Sequence, residues 1–312
     1  MRVFVAGGAG AIGRRLVPQL VARGHEVTAT STGEGKLALL RELGAEPVVM
    51  DGLDAASVRR AVAAARPDAI VHQMTAIGKP DMRHPERSFA TTNRLRIEGT
   101  DHLLAAAEAE GVPHVVAQSF AISFGPHTGL LTEDDPIDPG PVETVRKMAA
   151  GIIHVEEAVV RAGGAALRYG GFYGPGSSDD VFEMVRKRKF PLIGDGSGQN
   201  NWIHLDDAAA ATVLAVERRA QGVFNVVDDE PAPIGEWLPY LAAAIGAKRP
   251  LRLPVWLARL LAGEFAVTLV SNGRGFSNAR TKQQLGWELR HPSWREGFKH
   301  ELAADSPSHT HS

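Results

Sequence analysis

The chain has 312 residues, enough to bury a large core, and its 34 Lys plus Arg nearly balance 36 Asp plus Glu. That balance, with sparse aromatics and no basic run among them, excludes a global field for nucleic acid or an anionic membrane. With no cysteine, disulfides, thiolate chemistry and cysteine metal sites are excluded as well.

Residues 1–13, MRVFVAGGAGAIG, set an apolar run (Val3, Phe4, Val5, Ala6) before a turn carrying Gly7, Gly10 and Gly13. A helical pattern of Leu16, Val17, Leu20 and Val21 follows. Strand, glycine turn, helix is the context in which such glycines bind a dinucleotide. The first permits the turn, the middle one lets backbone approach a pyrophosphate, and the last lets helix and strand pack closely. Amides at the helix start, around Ala11 and Ile12, then face the phosphates. The apolar stretch is too short, and too soon broken by glycine, for a secretion signal.

Further along, the patterns predict strands at 26–30, 47–50, Ala69–His72, 115–118 and 165–168. Helices are predicted at 36–43, Ala55–Ala65, 93–110 and 145–161. Such alternation argues for an α/β fold, a Rossmann-type doubly wound parallel sheet with any ligand along the strand C-termini. Beyond Tyr169 the rhythm changes: 170–176 is a loop by composition, and helices at 181–188, 208–218, 234–245 and 256–261 are separated by longer loops. The chain thus divides into a dinucleotide-binding domain over 1–170 and a smaller C-terminal, mainly substrate-binding domain over 171–304. Residues 203–226 are expected to return to the first domain, and 305–312 to form a disordered tail. Arg259 and Glu264 interrupt the apolar stretch 254–270, so no membrane span and a cytoplasmic protein are expected.

Several motifs in order resemble the extended short-chain dehydrogenase/reductase family, the NAD(P)-dependent epimerase/dehydratase group, over residues 1 to about 299. They are Gly7, Gly10 and Gly13; Asp51 after the third strand; Val71-His72-Gln73-Met74-Thr75; and Arg168 through Gly176. Gly194-Asp195-Gly196, then Trp202-Ile203-His204-Leu205-Asp206-Asp207, and Leu285-Gly286-Trp287 complete the set. The resemblance implies a nicotinamide cofactor, Asp51 on the adenine side, a small-molecule substrate and a homodimer formed through a helix pair. It also implies a Tyr-x-x-x-Lys pair with an acid four residues beyond the lysine. Anchoring on Glu157 puts Ala149 and Ile153 there, and anchoring on Glu156 puts Met148 and Ile152 there. Neither supplies the pair, and the chain has only three tyrosines, Tyr169, Tyr173 and Tyr240.

The chemistry must therefore be assigned afresh. Hydride exchange at a carbonyl needs a proton or hydrogen-bond donor on the developing alkoxide. Tyr169, in the place of the family's proline, is the first candidate; Ser119, Ser123 and His154 are the others. Cofactor contacts are expected from Gly7, Gly10, Ala11, Ile12, Gly13, Ser31, Lys36, Asp51, Gln73, Met74, Arg96, Ser119, Tyr169 and Phe172. The second strand ends at Thr30-Ser31-Thr32-Gly33 with no carboxylate, so Ser31 and Lys36 lean to the 2′-phosphate of NADP. Arg96 could anchor a pyrophosphate or a substrate anion. Lys147 is read as solvent-facing, and Glu156 and Glu157 as surface or domain-contact charges. His204, Asp206 and Asp207 are read as a helix junction capped by an aspartate, with no metal site. The expectation is an atypical NAD(P)-dependent oxidoreductase acting on a carbonyl or alcohol of a small or glycosylated metabolite. A catalytically degenerate NAD(P)-binding sensor or scaffold and a nucleotide-sugar epimerase/dehydratase are the alternatives.

Overall fold

A computed structural model describes residues 1–78, 81–177 and 179–304, so the tail expected at 305–312 lies outside the described residues. Strands β1 (Arg2–Ala6), β2 (Glu26–Ser31), β3 (Glu46–Val49), β4 (Ala69–His72), β5 (Val115–Phe120) and β6 (Ala165–Tyr169) join a later strand, Gly222–Val226. All seven pair in parallel, in the order Gly222–Val226, β6, β5, β4, β1, β2, β3. The central strands read as continuous apolar runs because both faces are covered. On one face lie α1 (Gly13–Ala22), Leu40 of α2 (Leu37–Glu42) and the helix Leu205–Glu217. The other face is packed by α3 (Ala55–Ala65), α5 (Thr100–Ala109) and α6 (Glu143–Arg161). From β1 the chain moves first toward β3 and then back past β1 to β4. That reversal opens a crevice between the C-terminal ends of β1 and β4, where ligands of such sheets bind.

The helix read at 93–110 starts earlier. Helix α4 (Pro85–Arg94) opens with proline in its first turn, and a π-turn at Leu95–Gly99 carries it into α5. Its sequence, PERSFATTNR, is mostly polar and hides the period. The helix read at 256–261 extends over Val255–Ser271, broken at Gly263, where φ is +87°. Helices Ala279–Leu285 and Trp294–Ala304 were not anticipated. After β6, Tyr173, Trp202, Trp237, Trp294 and Phe298 anchor a separate apolar cluster with largely edge-on ring contacts. No helix among the described residues is long and apolar enough to cross a membrane.

Candidate active site

The turn after β1 is shaped by what its glycines omit. At Gly7 φ is +88°, and a Cβ would stand 2.8 Å from the Gln73 carbonyl oxygen, just past β4. At Gly13 a Cβ would stand 2.3 Å from the Gly8 carbonyl oxygen, so helix and turn meet backbone to backbone. The Gly7 N–H donates to Thr30 Oγ1 at 3.0 Å, tying the turn to the end of β2. No backbone carbonyl among the described residues takes the N–H of Ala11, Ile12 or Gly13. These donors open α1, where the helix dipole favours an anion. The adjoining groove is lined by Gly7, Gly10, Ser31, Lys36, Gln73 and Met74, and this cradle fits a dinucleotide. Ser31 is buried and Lys36 exposed at the ribose end. Asp51, exposed beside Met50, accepts the Leu53 N–H through Oδ1.

The expected proton donors fare differently. Tyr169 is only 1% exposed. Its hydroxyl accepts from Gln73 Nε2 at 3.0 Å and lies 2.6 Å from Thr212 Oγ1, which itself donates to the Ala208 carbonyl. Because the Thr212 proton is already committed, the phenol must donate to Thr212. Burial pushes the Tyr169 hydroxyl up to about 12. This corrects the expectation: the phenol has neither a spare proton nor surface to lay against a cofactor. Phe172, packed on its ring at 5.4 Å, remains partly exposed.

Ser119 Oγ donates to Glu156 Oε1 at 2.5 Å, so its proton is spent inside the protein. Glu156 also receives Arg168 Nε and Nη2, each at 2.8 Å, and Arg168 Nη1 donates to the Asp135 carbonyl. Glu156 is thus no surface charge. The missed signal was its register: it follows Met148 and Ile152 at steps of four, on the buried stripe of α6. Ser123 Oγ is held by the Asp138 backbone, accepting its N–H at 3.2 Å, and pins a loop. His154 Nε2 lies 2.7 Å from Asp101 Oδ1, toward α5, roughly opposite Ile152 around the helix. None of these three presents a free proton donor to the crevice.

Glu156 turns inward while Glu157 is exposed. Counting back from the inward acid puts Ile152 and Met148 where the resemblance implies lysine and tyrosine. Both are buried with Ile122, Phe124, Ile137 and Phe265. Lys147 points outward onto Glu86. That face of α6 is apolar.

At the helix Leu205–Glu217 the cap is His204, whose Nδ1 accepts the Asp206 N–H, rather than either aspartate. The Asp207 carboxylate is buried and accepts the N–H groups of Arg290 and His291. Ligand atoms of His204, Asp206 and His291 lie within 4.8 Å of one another. The two imidazoles are stacked at 3.8 Å and 29°, so their ring planes do not converge on one ion. Burial, then the neighbouring His291, holds His204 down at about 4, and burial does the same to His72. An unfolded chain protonates both near 6.5, so their contribution is complete above that pH and is lost as pH falls toward 4. His204→Asn keeps an acceptor for the cap. It should flatten the acid side of a urea-stability curve by roughly 1.4 kcal/mol per pH unit in that window.

The fold and the cradle together define a nicotinamide-nucleotide-binding protein of the extended short-chain dehydrogenase/reductase type. Residues 3–227 match the NAD dependent epimerase/dehydratase family, and the chain belongs to it. It is similar to a Streptomyces sp 3-diazoavenalumate denitrifying reductase, 42% identical over 96% of this chain and 100% of that protein. It is also similar to 2-alkyl-3-oxoalkanoate reductase of Stenotrophomonas maltophilia (strain K279a), 29% identical over 80% of this chain and 77% of the other. Among solved structures, the UDP-glucose 4-epimerase of Thermus thermophilus in complex with NAD superimposes with a TM-score of 0.74. It is 24% identical, covering 97% of this chain and 98% of that one.

Proposed function

We propose that the chain is an NADPH-dependent reductase whose acceptor takes up hydride without a proton from any side chain. The observation that carries this is the apolar face of α6 at Met148 and Ile152, with Tyr169 sealed behind Gln73 and Thr212. A carbonyl that receives hydride becomes an alkoxide and calls for a donor. An aryl diazonium ion is already a cation. One hydride added to its terminal nitrogen gives a neutral aryl diazene, which departs as arene and dinitrogen with no net proton uptake. The name of the relative at 42% identity agrees with such an acceptor.

The bound dihydronicotinamide would supply the hydride. The amides of Ala11, Ile12 and Gly13 would hold the diphosphate, with Gln73, Met74 and Phe172 toward the nicotinamide side. Ser31 and Lys36, with no carboxylate at the end of β2, support the 2′-phosphate of NADPH over NADH. Ile122, Phe124 and Ile152, with Phe265 from the substrate-side segment 171–304, would exclude water. Positive charge passes from acceptor to coenzyme, so no anion develops that this apolar wall would fail to stabilise.

The test follows dihydronicotinamide absorbance with an arenediazonium salt, subtracting the enzyme-free rate. Deuterium placed on the transferred face at C4 of NADPH should be absent from the oxidised coenzyme recovered, and NADPH should bind at least about tenfold tighter than NADH. Tyr169→Phe should keep the rate within about twofold. A loss of about a hundredfold in that variant would return the phenol to the chemistry and overturn the reading.

A further inference from the structure

Two arginines are buried beside α6, and their surroundings differ. Arg168 is neutralised by the two-pronged contact with Glu156. Arg96, 8% exposed, makes no hydrogen bond or ion pair among the described residues. It sits on the π-turn Leu95–Gly99, a wide helical turn of the kind that re-aims side chains, often at functional sites. Arg94, two residues earlier, points outward and is satisfied by Glu98. The Arg96 stem crosses α6 at Gly151, where a Cβ would come within 3.3 Å of its Cβ and 3.4 Å of its Cδ. Asn93 Oδ1 lies across the same glycine, 3.1 Å from that Cβ position, yet it makes no hydrogen bond. His72, the last residue of β4, is held below the usual imidazole range first by its burial and only last by the positive charge of Arg96. Leu95, the neighbour of Arg96, lines the groove beside the glycine turn.

We propose that Arg96 is an oxyanion receptor of the crevice, holding carboxylate or phosphate oxygens of a bound ligand. A mostly buried guanidinium that no protein group meets, its nitrogens still open to solvent, is placed to receive a ligand, and a two-oxygen anion fits its fork. Desolvation pulls Arg96 down to about 10, so it stays charged at neutral pH and no acidic side chain offsets it. In the substrate arm this makes the acceptor an acid, for instance an aromatic carboxylate, which deepens the proposed reading and rests on it. In the cofactor arm the oxygens are phosphate.

The experiment measures binding, so a failed reductase assay leaves it intact. NADPH is titrated alone into wild type, Arg96→Gln and Arg96→Lys. Benzoate, and benzamide as its uncharged counterpart, are then titrated into the NADPH complexes. A loss of at least about tenfold for benzoate but not benzamide in Arg96→Gln, partly restored in Arg96→Lys, assigns the receptor to the substrate. The same loss for NADPH assigns it to the cofactor. In either case the ligand-free thermal midpoint of Arg96→Gln should match or exceed wild type, because an unpaired charge has left the interior. Unchanged affinity in both arms, or a lowered midpoint with unchanged affinity, overturns the proposal.

Discussion

Glu156→Ala should destabilise the protein by about 3–5 kcal/mol, read as a shift in the urea midpoint at constant slope. The substitution leaves Arg168, 3% exposed, with a charge inside the sheet's cover and no carboxylate to meet it. It also strips the acceptor from the Ser119 hydroxyl, itself 6% exposed. Three elements meet at this point: Ser119 lies near the end of β5, Arg168 lies in β6 and Glu156 comes from α6. Arg168 also ties in the 131–138 loop through the Asp135 carbonyl. Much of the loss is the penalty of an uncompensated ion, so Glu156→Leu with Arg168→Met should recover a large part of it. A loss below about 1 kcal/mol in Glu156→Ala would mean water reaches the pair, contrary to its burial.

The sheet was legible because its cause is local. Runs such as VFVA and AIVH have to be buried on both faces, and the apolar spacing in Ala55–Ala65 marks one helical face, so they appear in the sequence within one residue of the bounds the fold gives them. The glycine turn was legible for the same reason: its strand and helix flank it without interruption. Helix α4 was hidden because its stability comes from packing on α6 rather than from a periodic apolar face of its own. The chemistry was least legible. Whether Tyr169 keeps a proton depends on Thr212, 43 residues away, and on Gln73, 96 residues away. Nothing in the neighbourhood of Tyr169 in the sequence announces those partners. Glu156 posed the reverse difficulty: charged residues on helices are read as surface by default, and only its register pointed inward.

Gly7→Ala should abolish NADPH binding, weakening it by at least about a hundredfold in a fluorescence titration. Two costs combine. A residue with a Cβ is strained at φ +88°, by about 1–3 kcal/mol. The added atom would also stand 2.8 Å from the Gln73 carbonyl oxygen and 3.0 Å from the Met74 nitrogen, all of it backbone with no rotamer to yield. Relief requires the segment after β4 to move away from the turn, and Gln73 and Met74 line the groove. The shift would also pull Gly7 from the Thr30 hydroxyl that anchors the turn to β2. Gly33→Ala is the matched control, since a Cβ there meets nothing within 4 Å and the backbone is extended. It should bind NADPH within about twofold of wild type. If Gly7→Ala, shown folded by its circular dichroism, binds as tightly as Gly33→Ala, the diphosphate does not lie against this turn. The hydride donor would then have to enter the crevice by another wall.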